Sequence, residues 1–99
     1  MQFLVLGYDE PGDEGLKRRL TARDSHLAGA KMMQASGNLL YGVAMLDEQG
    51  RMCGSMLVTE FDSRAQLDRW LEREPYVTGK VWQEIKVIPC RLGPTFAAK

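Results

Sequence analysis

The chain has 99 residues and a mass of 11.2 kDa, the size of one domain. Its 13 Lys and Arg balance its 13 Asp and Glu for a formal net charge of +0, so it lacks the basic footprint of a general nucleic-acid binder. Hydrophobic residues at 44% and charged ones at 26% exclude a disordered chain and describe a folded one, whose modest core a partner subunit would enlarge.

The opening segment Gln2–Tyr8 is rich in strand formers, and the acidic stretch Asp9–Gly15, with its Pro and Gly, reads as a loop after it. Phe3-Leu4-Val5-Leu6 is a short apolar run followed by acids, unlike an export signal. No segment approaches the roughly 20 apolar residues of a membrane span, so a cytoplasmic protein without a membrane partner is expected. Leu16, Leu20, Arg23, Leu27, Ala30 and Gln34 step by fours and threes. That spacing places them on one stripe of a helix, which should stop at Gly37-Asn38.

Leu39–Leu46 and Arg51–Phe61 read as two strands joined by the hairpin loop Asp47-Glu48-Gln49-Gly50. Ser63 and Gln66 have the capping-box spacing of a second helix start. Leu67, Trp70 and Leu71 form its apolar stripe, and Glu74-Pro75 ends it, because the residue before a proline avoids the helical region. Val81–Leu92 is the last strand, and residues 93–99 form a tail to a single domain over 1–99.

This order, β-α-β-β-α-β, is the ferredoxin-like arrangement, an α+β fold on a four-stranded antiparallel sheet. Two helices cover only one face of such a sheet, yet the strands are apolar on both. Phe3 and Val5 alternate with Leu4 and Leu6, and Tyr41 and Val43 with Leu40 and Ala44. A solvated face would instead carry polar residues. A second copy of the chain is the simplest cover, and a homodimer through the helix-free face, a dimeric α+β barrel, is the expected assembly.

His26 is the single histidine and the natural proton carrier near neutral pH. It falls on the flank of the first helix's apolar stripe. Arg23, one turn earlier, falls on the stripe itself, where a guanidinium needs a carboxylate partner from the protein or from a ligand. The plainer alternative has Arg23 snorkelling over the helix edge and His26 half-exposed. Glu74-Pro75-Tyr76 is the second candidate, since proline would hold Glu74 and Tyr76 in fixed directions and a Glu beside His26 would set its tautomer; its alternative is an ordinary helix stop. Gly54-Ser55 is the third, a glycine marking close approach with a hydroxyl beside it; its alternative is a bulge or a packing fit under Trp70 or Trp82. Cys53 and Cys90 read as small sheet or core residues, and one histidine without a Cys-x-x-Cys gives no metal centre.

Arg23-Asp24-Ser25-His26-Leu27, Gly37-Asn38-Leu39-Leu40-Tyr41-Gly42, Gly54-Ser55, Glu74-Pro75-Tyr76 and Ile85-Lys86-Val87-Ile88-Pro89 together resemble the YciI-like (YCII-related) family of the dimeric α+β barrel superfamily. The resemblance spans nearly the whole chain. It implies a pocket between the helices and the sheet, with His26 as general acid/base and Glu74 where the family has Asp. Val43 after Gly42 departs from the Pro of many relatives. One related enzyme is a dehydrochlorinase of a chlorinated hydroxyquinol, and the wider superfamily includes muconolactone isomerases, monooxygenases and haem-dependent enzymes.

The expected function is a lyase or isomerase acting on a small anionic organic molecule, with no metal and no organic cofactor. His26 would move the proton, Glu74 would orient it, Arg23 would hold a carboxylate or enolate oxygen, and Ser55 and Tyr76 would add hydrogen bonds. Two alternatives stand beside it. One is a non-catalytic dimeric module that binds a small ligand or another protein through the same cleft. The other is a haem protein with His26 as axial ligand.

Overall fold

The computed structural model describes residues 1–97 as β1 (Gln2–Asp9), α1 (Gly12–Ser36), β2 (Leu39–Leu46), β3 (Met52–Glu60), α2 (Arg64–Arg73), α3 (Pro75–Thr78) and β4 (Trp82–Cys90). The segment read as an acidic loop is shorter than expected. Helix α1 starts at Gly12, placing Asp13 and Glu14 in its first turn, where carboxylates face the positive end of the helix dipole. Its other end is as expected. Gly37 adopts φ 85°, and the Gly37 and Asn38 amides donate back to Gln34 and Met33 at 3.1 and 2.9 Å, a left-handed cap suited to glycine. Ser63 Oγ accepts from the Gln66 amide at 3.2 Å and so caps α2.

The strands form one antiparallel sheet in the order β2-β3-β1-β4. Phe3 lies opposite Thr59 and Pro89, and Val5 opposite Leu57 and Val87. This register aims one set of side chains at the helices. There Phe3, Val5 and Leu57 meet Leu67 of α2, Tyr76 of α3 and Val81, and each such burial contributes about 1.5–3 kcal/mol. The ferredoxin-like α+β fold is thus the observed one.

The closed barrel is not. Among the described residues, β2 pairs only with β3 and β4 only with β1, so the sheet is open, with two free edges. Four strands are too few to close on themselves, since the twist between neighbours spreads them into an open sheet. The helix-free face is nonetheless apolar, as its sequence implied. Tyr41, Val43 and Ile88 are exposed on it, beside the half-buried Leu4, Leu6, Met56 and Val58.

Residues 93–97 make a turn held by the Phe96 amide on the Gly93 carbonyl at 2.9 Å; the last two residues of the expected tail lie outside the described ones. Among the described residues, no helix is long and apolar enough to cross a membrane.

Candidate functional site

The inward face of α1 is not the stripe expected from its leucines. Gly15, Arg19 and His26 are the buried residues, whereas Leu20 and Leu27 are 54% and 45% exposed. The true stripe runs one residue earlier, a rotation of about 100°. His26 therefore stands at the centre of the buried face rather than on its flank or half-exposed. Arg23 leaves the stripe and lies exposed at its edge. The helix turns polar residues inward because they meet polar groups of β1, β3 and the α2–α3 junction.

At that junction Pro75 breaks the helix after Arg73 and starts α3. Glu74, 4% exposed, is held there in an extended conformation (φ −63°, ψ 126°). Its Oε1 accepts from the Tyr76 amide at 3.1 Å and from His26 Nδ1. One Glu74 oxygen thus both caps α3 and binds the imidazole. The His26 ring stacks on Tyr76, with centroids 3.8 Å apart and planes within 10°. Trp82 meets the same ring edge-on at 6.2 Å. With Nδ1 donating to a carboxylate, the neutral imidazole keeps its lone pair on Nε2, which has no protein partner among the described residues.

Beneath the ring lies a second polar group. Arg19, 2% exposed, donates from Nε to Asp9 Oδ2 at 2.8 Å. Its Nη2 donates to the Gly54 carbonyl and, at 2.6 Å, to Ser55 Oγ, and its guanidinium lies 4.7 Å from the Tyr76 ring centroid. Trp82 Nε1 also donates to Ser55 Oγ, at 3.3 Å. Trp82 fits there because Gly7 has no side chain: a Cβ would lie 2.4 Å from the indole. Burial pushes the Asp9 carboxyl above its ordinary value, against the pull of the Arg19 hydrogen bond, and its Oδ1 has no partner among the described residues.

Between α1 and strands β2 and β3 opens a cleft of about 330 Å³ lined by Arg23, His26, Lys31, Ser55, Leu57 and Tyr76 among others. Four of the five expected site residues line it, and the fifth, Glu74, stands behind His26. Arg23 and Lys31 are exposed cations at its rim with no ion pair among the described residues, and no carboxylate lines it. The charged side chains lining the cleft are thus cationic, a surrounding that favours negative charge.

Sequence periodicity missed Arg19 and Asp9. A stripe drawn through leucines cannot show a helix face built from Arg and His. Centring the helix on His26 would have placed Arg19, two turns earlier, on the same face.

The fold and the cleft define a small α+β protein with a His–Glu pair behind a pocket rimmed by Arg23 and Lys31. The YCII-related domain model matches residues 1–91. The protein YciI of Escherichia coli is 28% identical over 93 residues, covering 88% of this chain and 95% of that protein. An uncharacterised protein of Haemophilus influenzae is 30% identical over 95 residues, covering 90% and 95%. Among solved structures, 5-chloro-2-hydroxyhydroquinone dehydrochlorinase from Burkholderia phenoliruptrix, in complex with 2,5-dihydroxybenzoquinone, superposes with a TM-score of 0.82 at 24% identity, over 96% of this chain and 98% of that one. The chain belongs to the YCII-related domain family; the superposition shows a shared fold.

Proposed function

We propose that the cleft is the active site of a cofactor-independent acid/base enzyme, a lyase or isomerase working on a small organic anion. The observation that carries this reading is the buried His26–Glu74 pair, whose free Nε2 belongs to a residue lining a cationic cleft. Arg23 draws in the carboxylate or enolate of the ligand, and Tyr76 supplies an aromatic wall. Nε2 takes a proton from an activated carbon: the C–H bond breaks, an N–H bond forms, and the electron pair moves into the conjugated oxygen. Returning the proton to another carbon is isomerisation, and expelling a leaving group with that pair is elimination. Glu74 holds the ring and stabilises the imidazolium. The dehydrochlorinase that shares the fold performs a reaction of the second kind, which supports the lyase form.

The protein acts as a homodimer joined through the helix-free sheet face, where Tyr41, Val43 and Ile88 are otherwise exposed. Contiguous apolar surface of this kind marks interaction sites.

A screen of small organic acids in D₂O, read by proton NMR for deuterium uptake or product, tests the function. Turnover by the wild type that falls about 10²–10⁴-fold in His26→Gln is the expected result, the usual contribution of a positioned acid/base. Full turnover in His26→Ala overturns it. Ligand binding by His26→Gln, with no turnover even in the wild type, makes the protein a binding module instead.

A further inference from the structure

Ser55 is the one hydroxyl on β3 that lines the cleft, and its hydrogen bonds are unusual in direction. Its oxygen accepts twice, from Arg19 Nη2 at 2.6 Å and from Trp82 Nε1 at 3.3 Å. A hydroxyl has two acceptor sites and one proton, so both acceptor sites are filled. Neither donor can reverse roles, because guanidinium and indole N–H groups accept nothing. The proton has no acceptor among the described residues, although the side chain is 97% buried, being 3% exposed. A buried hydroxyl in this state is a fixed donor, made stronger by the positive charge behind it.

From this geometry we infer that Ser55 selects the ligand: it donates to an unprotonated ligand oxygen on the sheet floor of the cleft. The oxygen belongs to a carboxylate, an enolate or phenolate, or a conjugated carbonyl. An ammonium, or a hydroxyl that must give its proton at that point, is refused, since it would face a donor that cannot turn round. Arg19 and Trp82 are positioning residues that set the direction of Ser55. Asp9 in turn holds Arg19. The inference rests on the cleft being the anion site proposed above and narrows it to ligands with an acceptor oxygen at the floor. There, negative charge that gathers on this oxygen when His26 takes a proton meets a hydrogen bond already aimed at it.

Benzoate serves as probe, being planar, anionic and free of oxygen-bound protons at neutral pH. The reporter is the Trp82 indole proton, assigned with Trp70→Phe, because its partner is the Ser55 oxygen. Benzoate should move this resonance downfield, since a hydroxyl that donates to an anion becomes a better acceptor. Loss of the hydrogen bond to the charged ligand should weaken binding by about tenfold or more in Ser55→Ala. Ser55→Cys, which keeps the shape but has a weak donor, should show the same loss if the alanine variant does not fold. Arg23→Gln should weaken binding yet keep the indole response. A fixed indole resonance and unchanged affinity in Ser55→Ala, with movement only at Arg23 and Lys31, would place the anion at the rim. That result overturns the donor floor and leaves the acid/base reading standing. Absence of any cleft perturbation by benzoate overturns both.

Discussion

Replacing Glu74 separates its structural work from its charge. In Glu74→Ala the Tyr76 amide loses the acceptor that caps α3, a loss of about 0.5–2 kcal/mol. The His26 Nδ1–H loses its partner as well, and a buried donor left alone costs about 1–3 kcal/mol. Together these give a destabilisation of about 3 kcal/mol, a large part of the 5–15 kcal/mol that holds a small domain folded. At roughly 4–8 °C per kcal/mol, the midpoint of thermal unfolding should fall by about 12–24 °C. Glu74→Gln keeps a carbonyl oxygen for both donors and should lose less than about 1 kcal/mol. Urea unfolding followed by tryptophan fluorescence measures both variants, at one protein concentration so that any subunit association is held fixed. Equal stability of the two variants would refute the claim that one Glu74 oxygen holds both the helix start and the imidazole.

Three further outcomes are expected. Val58→Asp puts a charge on the helix-free face, opposite Leu4 and Tyr41, and should convert a dimer to a monomer in sedimentation velocity; an unchanged sedimentation coefficient would remove this face as the interface. The Asp9 carboxyl is pushed up by burial, so folding favours its protonated form. Its contribution is therefore complete below the ordinary carboxylate range and lost as pH rises through the raised value. The stability of the wild type relative to Asp9→Asn should accordingly shrink with rising pH in urea titrations, and a gap that widens would contradict the assignment. Gly7→Ala puts a methyl 2.4 Å from the Trp82 indole. Overpacking of this kind costs about 1–3 kcal/mol, and the displaced Trp82 indole proton should lose the shift it owes to Ser55.

Much of this molecule was legible because its punctuation is strong. Gly37, the Asp47–Gly50 turn, Ser63 and Pro75 each bound an element by local chemistry that acts within a few residues, and β2 falls on Leu39–Leu46 as its composition implied. His26 and Glu74 are far apart in sequence; the residues leave their pairing open beside an ordinary helix stop and the family resemblance favours it, whereas the contact itself depends on α1 packing against α3. The rotation of α1 was not legible. Its inward face is specified by an ion pair and hydrogen bonds from Asp9, Gly54 and Ser55, interactions that hydrophobic spacing does not encode. Arg23 was expected on the buried stripe for that reason and stands at the cleft rim instead. The barrel failed for a different reason. Apolar residues on both faces show that the second face seeks cover, but they carry no information about closure of the edges β2 and β4.

Because the chain has a single histidine, nitrogen-15 NMR of the imidazole reads the His26–Glu74 pair without ambiguity. In water a neutral imidazole prefers its proton on Nε2, and a carboxylate acceptor at Nδ1 reverses that choice. The expected spectrum at a pH where the ring is neutral shows the proton on Nδ1 and a lone pair on Nε2, the state that makes His26 a base toward the cleft. A proton on Nε2 in the wild type, unchanged in Glu74→Ala, would contradict the acid/base site.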